Sequence, residues 1–333
     1  MTPNQNFAIG IDLGGTKLLA AIIDRNGTIL NRVKLPTNLK KPGDLVKLFC
    51  KAIDKLLAES GQNLSEVCAI GIGAAGLIDP DAGIILQAPN LNVLNGLDLK
   101  QPLEASYHLP VCMDNDVNIG TFGEAAIGAA QGSRDVVGIF LGTGIGGGII
   151  LNNDIYHGFT KTAGEIGHTT LNFKGRKHPL KTAPQGTLEA YAGRIAIMKR
   201  IKSLIAQGKP SVVPQLIHGN WNQLKSSVLK KALKKGDAVV EKVLSETAEY
   251  VGIGVANIAH ILGPEYIVLG GGIMEAVGDF LLPRIIAVAQ KRALENSLKG
   301  VKIVEAKLGD DAIILGAAMW AFKNTVWGTQ TEK

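Results

Sequence analysis

The chain has 333 residues, and 35 Lys and Arg against 29 Asp and Glu give it a formal net charge of +6. This length allows two domains that each bury a core. No stretch reaches the ~20 consecutive apolar residues that a membrane-spanning helix needs, and residues 1–6 lack the basic and apolar regions of a secretory signal. We therefore expect a soluble cytoplasmic protein with no membrane partner.

Two compositional features bear on partners. Cys50, Cys68 and Cys112 lie far apart beside apolar residues, which predicts buried free thiols rather than disulfides or metal ligands. Residues 199–235 contain nine Lys or Arg and no Asp or Glu. A polyanion surface and a solvated helical face are both open, and the pattern favours the second. No aromatic residues are interleaved for base stacking, so no nucleic-acid partner is predicted.

The chain begins with a strand, a glycine turn, a second strand and a hairpin. A short apolar strand over residues 7–11 runs into Asp-Leu-Gly-Gly-Thr-Lys, and Asn26-Gly27 is a strong hairpin signal further on. The same order returns at residues 136–151, which indicates an internal duplication. Strands and helices then alternate, as in an α/β protein. Further strands are predicted at residues 67–73, 110–113, 266–269 and 301–306, and helices at residues 42–60, 99–107, 119–130, 186–192, 236–262, 280–297 and 312–322.

Residues 141–148 form the most glycine-rich stretch, with five glycines among eight residues. Without Cβ atoms the backbone N–H groups can approach an anion closely, so a phosphate site is the first interpretation. The spacing also fits the dinucleotide fingerprint G-x-G-x-x-G, but that fingerprint requires a helix directly after the glycines. Residues 149–151 instead read as a strand that closes a hairpin. A dinucleotide site is therefore not predicted here.

The strand over residues 110–113 ends in four closely spaced polar residues, Asp114, Asn115, Asp116 and Asn118. Ligands of open α/β sheets bind beyond the carboxyl ends of the strands, so this junction is a candidate catalytic site. The alternative is that Asp114 or Asp116 only caps the following helix.

A second group of polar residues follows the glycine-rich stretch. Glu165 and His168 lie between glycines in a segment without periodicity, which predicts a loop that contacts a ligand. Thr187 is positioned to cap the next helix, and Glu189 lies in its first turn, where the helix dipole favours negative charge.

Five motifs in this order resemble the ROK family of sugar kinases and repressors, most of all its glucokinases. The match spans residues 7–322 and rests on Asp-Leu-Gly-Gly-Thr-Lys from Asp12, Asn-Asp-Val-Asn from Asn115, Leu-Gly-Thr-Gly-Ile-Gly from Leu141, Gly-Glu-x-Gly-His from Gly164 and Leu-Gly-Gly-Gly from Leu269. The resemblance implies the duplicated ribonuclease-H-like two-domain fold of the actin, hexokinase and Hsp70 superfamily, with an interdomain cleft. We expect an N-terminal α/β domain of residues 1–114 plus 310–333 and a C-terminal α/β domain of residues 115–309.

The resemblance also implies an activity, ATP-dependent phosphorylation of a hexose, with D-glucose to glucose 6-phosphate as the first candidate. Asp116 is the expected catalytic base. The expected sugar-binding residues are Gly76, Asn90, Asn115, Asp116, Glu165, His168 and Glu189. ATP with Mg²⁺ is expected on Asp12, Gly14, Gly15, Thr16, Lys17, Gly142, Thr143, Gly144, Gly146, Gly270, Gly271 and Gly272. Kinases of this family are commonly dimers, so a homodimer is expected.

The sequence departs from the family at the zinc motif Cys-x-Cys-Gly-x-x-Gly-Cys-x-Glu. Aligned back from Glu189, the three cysteine positions hold Leu180, Thr182 and Thr187. Leu and Thr cannot replace thiolate ligands, so no structural zinc is predicted. In its absence a hydrogen bond, from the segment around Thr182, is expected to hold His168.

Several alternatives stay open. The sugar can instead be N-acetylmannosamine, N-acetylglucosamine, fructose or mannose, and polyphosphate can replace ATP, for which the basic residues 199–235 are a hint. Outside the enzymes, a non-catalytic sugar-binding sensor is the alternative. The repressors of the family carry a DNA-binding domain ahead of the kinase-like region, and because the first strand begins at Phe7, no such domain is expected here.

Overall fold

The computed structural model describes residues 5–37, 39, 41–88, 94–179 and 183–327. Three residues discussed above, Asn90, Leu180 and Thr182, lie outside this described part. The chain divides into two compact units. The first unit comprises Met1–Arg134, Gly148–Ala163 and Asp310–Lys333, and the second comprises Asp135–Gly147 and Gly164–Gly309.

Strands and helices alternate along the described residues. The strands are β1 (Phe7–Leu13), β2 (Lys17–Asp24), β3 (Ile29–Pro36), β4 (Val67–Ala74), β5 (Leu77–Asp79), β6 (Ile84–Gln87), β7 (Leu97–Asp98), β8 (Val111–Asn115), β9 (Val136–Leu141), β10 (Ile145–Leu151), β11 (Asp154–Ile155), β12 (Tyr266–Gly270) and β13 (Lys302–Glu305). The helices are α1 (Gly43–Ser60), α2 (Lys100–Tyr107), α3 (Asp116–Ala126), α4 (Leu188–Ala192), α5 (Arg194–Ala206), α6 (Val213–Leu216), α7 (Ser226–Lys234), α8 (Ala238–Leu262), α9 (Gly272–Arg292) and α10 (Ala312–Phe322).

The first unit is built on a five-stranded sheet in the order β3-β2-β1-β4-β8. β2 runs antiparallel to β1 and β3, whereas β1, β4 and β8 run parallel. Helix α1 buries Phe49, Ile53 and Leu56, whose spacing places them on one face of the helix. β5, β6 and β7 form a small antiparallel sheet that is not among the strands predicted from the sequence.

The second unit repeats this arrangement. β9 pairs with β12 and β12 with β13, both in parallel, and β10 is the other neighbour of β9. The last residues of β10 belong to the first unit, where Ile150 and Leu151 pair antiparallel with β11. Strands β9 to β13 thus follow the order of β1, β2, β3, β4 and β8, which confirms the predicted duplication.

Helix α10 packs on the sheet of the first unit at very short range. A side chain at Gly10 would overlap the carbonyl oxygen of Ile314, and one at Gly71 would overlap that of Ala317. The helix can approach β1 and β4 this closely because these strand positions have no Cβ. Gly123 of α3 and Gly316 of α10 meet in the same way.

The units differ from the predicted domains at two segments. Residues 115–134 and 148–163 belong to the first unit, whereas the prediction assigned them to the C-terminal domain. The first segment contains α3, which packs against α10 of the first unit. The domain boundaries proposed from sequence stay a prediction.

Two predicted helices begin at the wrong residue. α9 begins at Gly272 rather than at residue 280, because the glycine run that ends β12 also opens the helix. α3 begins at Asp116 rather than at residue 119 and ends at Ala126 rather than at residue 130. The side chain that caps α3 comes from Asn115, so the helix follows the strand without a loop.

Two further findings concern the surface and the membrane. The eight lysines among residues 199–235 are all exposed, and helix α7 buries Val228, Leu229 and Ala232 on its other face. This agrees with a solvated helical face. No helix in the described part of the chain is both long enough and apolar enough to span a bilayer.

Candidate functional site

The junction at the end of β8 is organised by Asn115, which caps α3. Its Oδ1 accepts the backbone N–H groups of Val117 (2.8 Å) and Asn118 (3.3 Å), and its Nδ2 donates to the carbonyl oxygen of Gly76 (2.9 Å). The alternative in which an aspartate caps the helix is therefore wrong. Because Asn115 satisfies the end of the helix, Asp116 is not needed there and can act on a ligand.

Asp116 lies in the first turn of α3 and is partly exposed. Its Oδ1 accepts the N–H of Val117 at 2.9 Å. Burial raises the pKa of Asp116, and the hydrogen bond from Val117 opposes this effect. A carboxylate with a raised pKa beyond the carboxyl end of a parallel strand is suited to exchange a proton with a ligand.

The turn between β1 and β2 is held by backbone and threonine hydrogen bonds. The N–H of Gly14 donates to the carbonyl oxygen of Lys17 (2.9 Å), and the N–H of Thr37 donates to that of Thr16 (3.0 Å). The hydroxyl of Thr37 donates to the carbonyl oxygen of Gly14 (3.2 Å). Gly15 and Thr16 are exposed at the tip of this fixed turn. The tip can therefore present backbone donors to an anion.

Asp12 precedes this turn and is only 8% exposed. Burial and the nearby charge of Asp116 raise the pKa of Asp12 to about 6, and Asp310 adds to the effect. Lys17 lowers this pKa but does not compensate for the burial and the two carboxylates. The first unit thus brings Asp12 and Asp116, predicted for different ligands, close enough for their charges to interact.

The corresponding turn of the second unit lies between β9 and β10. The N–H of Gly142 donates to the carbonyl oxygen of Gly144 (2.9 Å), which closes the turn. Arg194, the first residue of α5, donates from its backbone N–H to Gly142 (3.1 Å) and from its guanidinium to the hydroxyl of Thr143 (2.7 Å). Thr143 is exposed, and Gly142, Gly144 and Gly146 are partly exposed. Arg194 was not among the site residues predicted from the sequence.

Glu189 holds this second turn from the side. Its Oε2 accepts the N–H of Ile145 (2.7 Å), and its Oε1 lies 3.0 Å from Nε2 of His178. A side chain at Gly144 would overlap the carboxylate, which would have to move. Thr187 caps α4, as predicted, and so places Glu189 in the first helical turn. Glu189, predicted to bind sugar, thus also shapes the predicted nucleotide turn.

His168 packs beside a second histidine. The ring centres of His168 and His178 are 5.2 Å apart, and Nε2 of His168 lies 3.7 Å from Oε2 of Glu165. His178 is buried, whereas the side chain of Glu165 is 62% exposed. His178 was not among the predicted site residues, although it is the only histidine between His168 and Glu189 in the sequence. The hydrogen bond expected from Thr182 lies outside the described residues and stays a prediction.

The glycine run after β12 forms the start of a helix. Gly271 has a φ of 84° and precedes α9, and a side chain there would lie 2.7 Å from the carbonyl oxygen of Leu141. Gly272 is exposed, so the first turn of α9, which precedes a kink at Val277, is accessible. Free N–H groups at a helix N-terminus favour anions and polar ligand atoms.

The cysteines and the possible metal ligands were also compared with the predictions. The three cysteines are free thiols; Cys68 is buried, and Cys50 and Cys112 are partly exposed. Among the residues that the structure describes, no three His, Cys, Asp or Glu side chains are grouped as a metal site would need. The absence of structural zinc stays a prediction, since two of the three positions in question are not described.

Each unit therefore gathers its own set of predicted site residues. The first unit holds Asp12, Gly14, Gly15, Thr16, Lys17, Gly76, Asn115 and Asp116, and the second holds Gly142, Thr143, Gly144, Gly146, Glu165, His168, Glu189, Gly270, Gly271 and Gly272. Asn90 is not described. Two turns of the same topology, one in each unit, present backbone donors, and polar side chains lie beside each turn.

This fold and these turns are those of the ROK sugar kinases, which have the ribonuclease-H-like fold of the actin, hexokinase and Hsp70 superfamily. The ROK family profile matches residues 8–324, and the chain belongs to this family. It is 35% identical to a glucokinase of Halalkalibacterium halodurans, over 96% of each chain. It is also 31% identical to a xylose repressor of Caldicellulosiruptor bescii, over 92% of this chain and 76% of the repressor. The chain also resembles a solved structure, that of a ROK family glucokinase from Streptomyces griseus in complex with glucose and AMPPNP. The two structures superpose with a TM-score of 0.78 at 31% sequence identity, and the match covers 95% of this chain and 99% of that one.

Proposed function

We propose that the protein transfers the γ-phosphoryl group of ATP to a hexose, with D-glucose as the first candidate. The observation that carries the proposal is Asp116, a partly exposed carboxylate beyond β8 that Asn115 relieves of capping α3. The similarity to glucokinases, one of them in complex with glucose and AMPPNP, supports the same reaction.

Asp116 is the proposed base. It accepts the proton of the sugar hydroxyl as that oxygen bonds to the γ-phosphorus and the bond to ADP breaks. Burial raises its pKa, which brings the carboxylate nearer to the working pH, where a general base is most effective. The turn with Gly15 and Thr16 and the turn with Gly142 and Gly144 each offer backbone donors of the kind that phosphoryl transfer requires for phosphate oxygens.

Mg²⁺ fits the acidic residues of the first unit. Magnesium in kinases is bound by one or two carboxylates together with substrate phosphates. Asp12 would hold it, because this buried carboxylate faces Asp116 and Asp310 and only Lys17 opposes their negative charge. When bound, Mg²⁺ neutralises the charge on the phosphate oxygens during transfer.

Recognition of a neutral sugar is proposed for polar groups beside these turns. Glu165 and His168 are accessible on their loop, and the carboxylate of Glu189 has acceptor capacity beyond its two present partners. A ligand that lacks a matching hydroxyl would leave such groups unpaired, which is how polar sites discriminate.

A coupled assay of ADP release tests the proposal. With ATP, turnover is expected for D-glucose above mannose, fructose, N-acetylglucosamine and N-acetylmannosamine. Asp116→Asn should lower kcat about 10²- to 10⁴-fold while glucose still binds in calorimetry. Asp98→Asn is the matched control, since Asp98 also lies at a helix start, where an amide oxygen can still accept the N–H of Gln101. Near-normal turnover of Asp116→Asn would refute its assignment as the base.

A sugar-binding sensor is the second candidate, favoured by the 31% identity to a xylose repressor. The same assay separates the two functions. A sensor binds a sugar in calorimetry but releases no ADP with any sugar of the panel, and polyphosphate as donor also gives no phosphorylated sugar. Turnover with polyphosphate but not with ATP would support the kinase function and replace ATP by polyphosphate as the phosphoryl donor.

A further inference from the structure

A buried carboxylate lies directly before the proposed catalytic residues. Asp114 ends β8, and its side chain is only 2% exposed. Its Oδ1 accepts the backbone N–H of Asn115 (2.6 Å) and Nδ2–H of Asn118 (3.0 Å). Asn115 in turn caps α3. One carboxylate therefore holds the backbone just before Asp116 and the side chain of Asn118 just after it.

The other oxygen of Asp114 is bound by a histidine from a distant loop. Nε2 of His157 lies 2.5 Å from Oδ2 of Asp114, and the imidazole is 18% exposed. His157 follows β11, and its carbonyl oxygen accepts the N–H of Ala163 (3.0 Å). In the same loop Lys161 forms an ion pair with Asp81 (2.6 Å). The loop is thus held at two places, and only His157 touches the carboxylate of Asp114.

The charges around His157 favour its protonated form. Burial lowers the pKa of His157, but the hydrogen bond and the charge of Asp114 raise it by more, so the pKa lies above its ordinary value. The other facing groups are Lys161, which lowers it, and Asp154, which raises it, and His157 also acts on Asp81. A positive imidazole compensates the negative charge of Asp114. Without such a partner, burial of that charge would be costly.

We propose that His157 is a positioning residue for Asp116, acting through Asp114. This inference rests on the kinase reaction proposed above and adds a residue to it. Without the cation, Asp114 is a buried and unpaired charge, and the cheapest relief is movement toward water. Such movement carries the N–H of Asn115 and the side chain of Asn118 with it, and a displacement of about 1 Å at a catalytic group can cost about 10²-fold in rate.

The proposal makes turnover depend on pH in a defined direction. As the pH rises through the folded-state pKa of His157, the imidazole beside the buried carboxylate of Asp114 loses its charge. The stabilisation is therefore present at low pH and lost at high pH. We expect kcat to fall at alkaline pH, with KM for sugar and ATP nearly constant.

Two substitutions separate the hydrogen bond from the charge. The amide nitrogen of Gln can occupy the place of Nε2, whereas that of Asn reaches only the place of Nδ1. His157→Asn should lower kcat about 10²-fold. His157→Gln keeps the hydrogen bond without the charge, so it should lose about tenfold in kcat near neutral pH and show no alkaline decline. Lys161→Gln, which removes the other contact of the loop, is the control. It should leave kcat near neutral pH unchanged, and because Lys161 lowers the pKa of His157, it should move the alkaline decline only to higher pH.

The outcomes distinguish this inference from the proposed function. If the wild type is active and both His157 variants keep its kcat and its pH profile, the inference is wrong and the kinase function stands. If Lys161→Gln reproduces the effects of His157→Asn, loop anchoring explains them and the role of Asp114 is overturned. If the wild type phosphorylates no sugar with either ATP or polyphosphate, both proposals fall. Circular dichroism and thermal unfolding of each variant identify any loss of kcat that comes from misfolding.

Discussion

The sharpest prediction about stability concerns Asp12→Asn. Asp12 is 8% exposed, and its carboxylate faces those of Asp116 and Asp310. Burial, together with these charges, raises its pKa from 3.8 to about 6, although Lys17 opposes the shift. In the protein without bound metal or nucleotide, the ionised Asp12 therefore destabilises the fold.

The pKa shift gives the size of the effect. The difference between about 6 and 3.8 is about 2 pKa units, which corresponds to about 3 kcal/mol at 25 °C. The folded protein binds the proton more tightly than the unfolded chain, so stability falls as the pH rises from about 4 to about 6 and stays reduced above that. An asparagine carries no charge to desolvate. It should raise the free energy of unfolding by up to about 3 kcal/mol above pH 6 and by little near pH 4.

Thermal unfolding in EDTA tests this prediction. Asp12→Asn should unfold up to roughly 6 °C above the wild type at about pH 8, and the difference should shrink toward about pH 4.5. Asp24→Asn is the control, since Oδ1 of Asp24 accepts the N–H groups of Asn26 and Thr28 in an exposed turn and an amide oxygen can do the same. It should change Tm little at either pH.

Two results would refute the reasoning about Asp12. One is a lower or equal Tm of Asp12→Asn at about pH 8, and the other is a gain that does not change with pH. The kinase assay gives an independent check. If Asp12 holds Mg²⁺ as proposed, the stabilised variant should lose activity, because residues at functional sites are often kept at a cost in stability.

Two glycine substitutions give further predictions. Gly71→Ala places a methyl group on the carbonyl oxygen of Ala317, so it should lower the stability of the first unit by about 3 kcal/mol or more. Gly43 has open space around it, so the control Gly43→Ala should change stability by less than about 1 kcal/mol. Urea unfolding measures both effects. Gly144→Val displaces the carboxylate of Glu189, and the loss of its charged hydrogen bonds should weaken AMPPNP at least about tenfold in calorimetry, with a loss of glucose affinity as well. Unchanged affinity for both ligands would show that the turn tolerates the side chain.

Much of the fold follows from local sequence signals. The Asn26-Gly27 turn, Gly61 at the end of α1 and the bounds of α10 were all predictable, because turn chemistry and apolar periodicity act over a few residues. The duplication was predictable for the same reason, since each copy repeats a strand, a Gly-Thr turn and a strand. The start of α9 was not, because a glycine run is as compatible with a strand end as with a helix N-terminus.

The site could be predicted residue by residue only in part. The Asn-Asp motif located the junction after β8, but the sequence could not decide between Asn115 and the aspartates as the cap of α3, since all three are good capping residues. Glu189 was predictable as a polar residue in a first helical turn. Its two partners, Ile145 and His178, were not, because they come from segments that approach it only in the folded chain.

The sequence by itself thus determined the α/β class, the repeated glycine turns and the family, because all of these rest on residue types at short spacings. The tertiary structure alone decided which charges meet. Asp12 lies near Asp310, and Asp114 meets His157, although each pair is far apart in the chain. Electrostatic effects on a pKa depend on distance and burial in three dimensions, and no local pattern encodes either quantity.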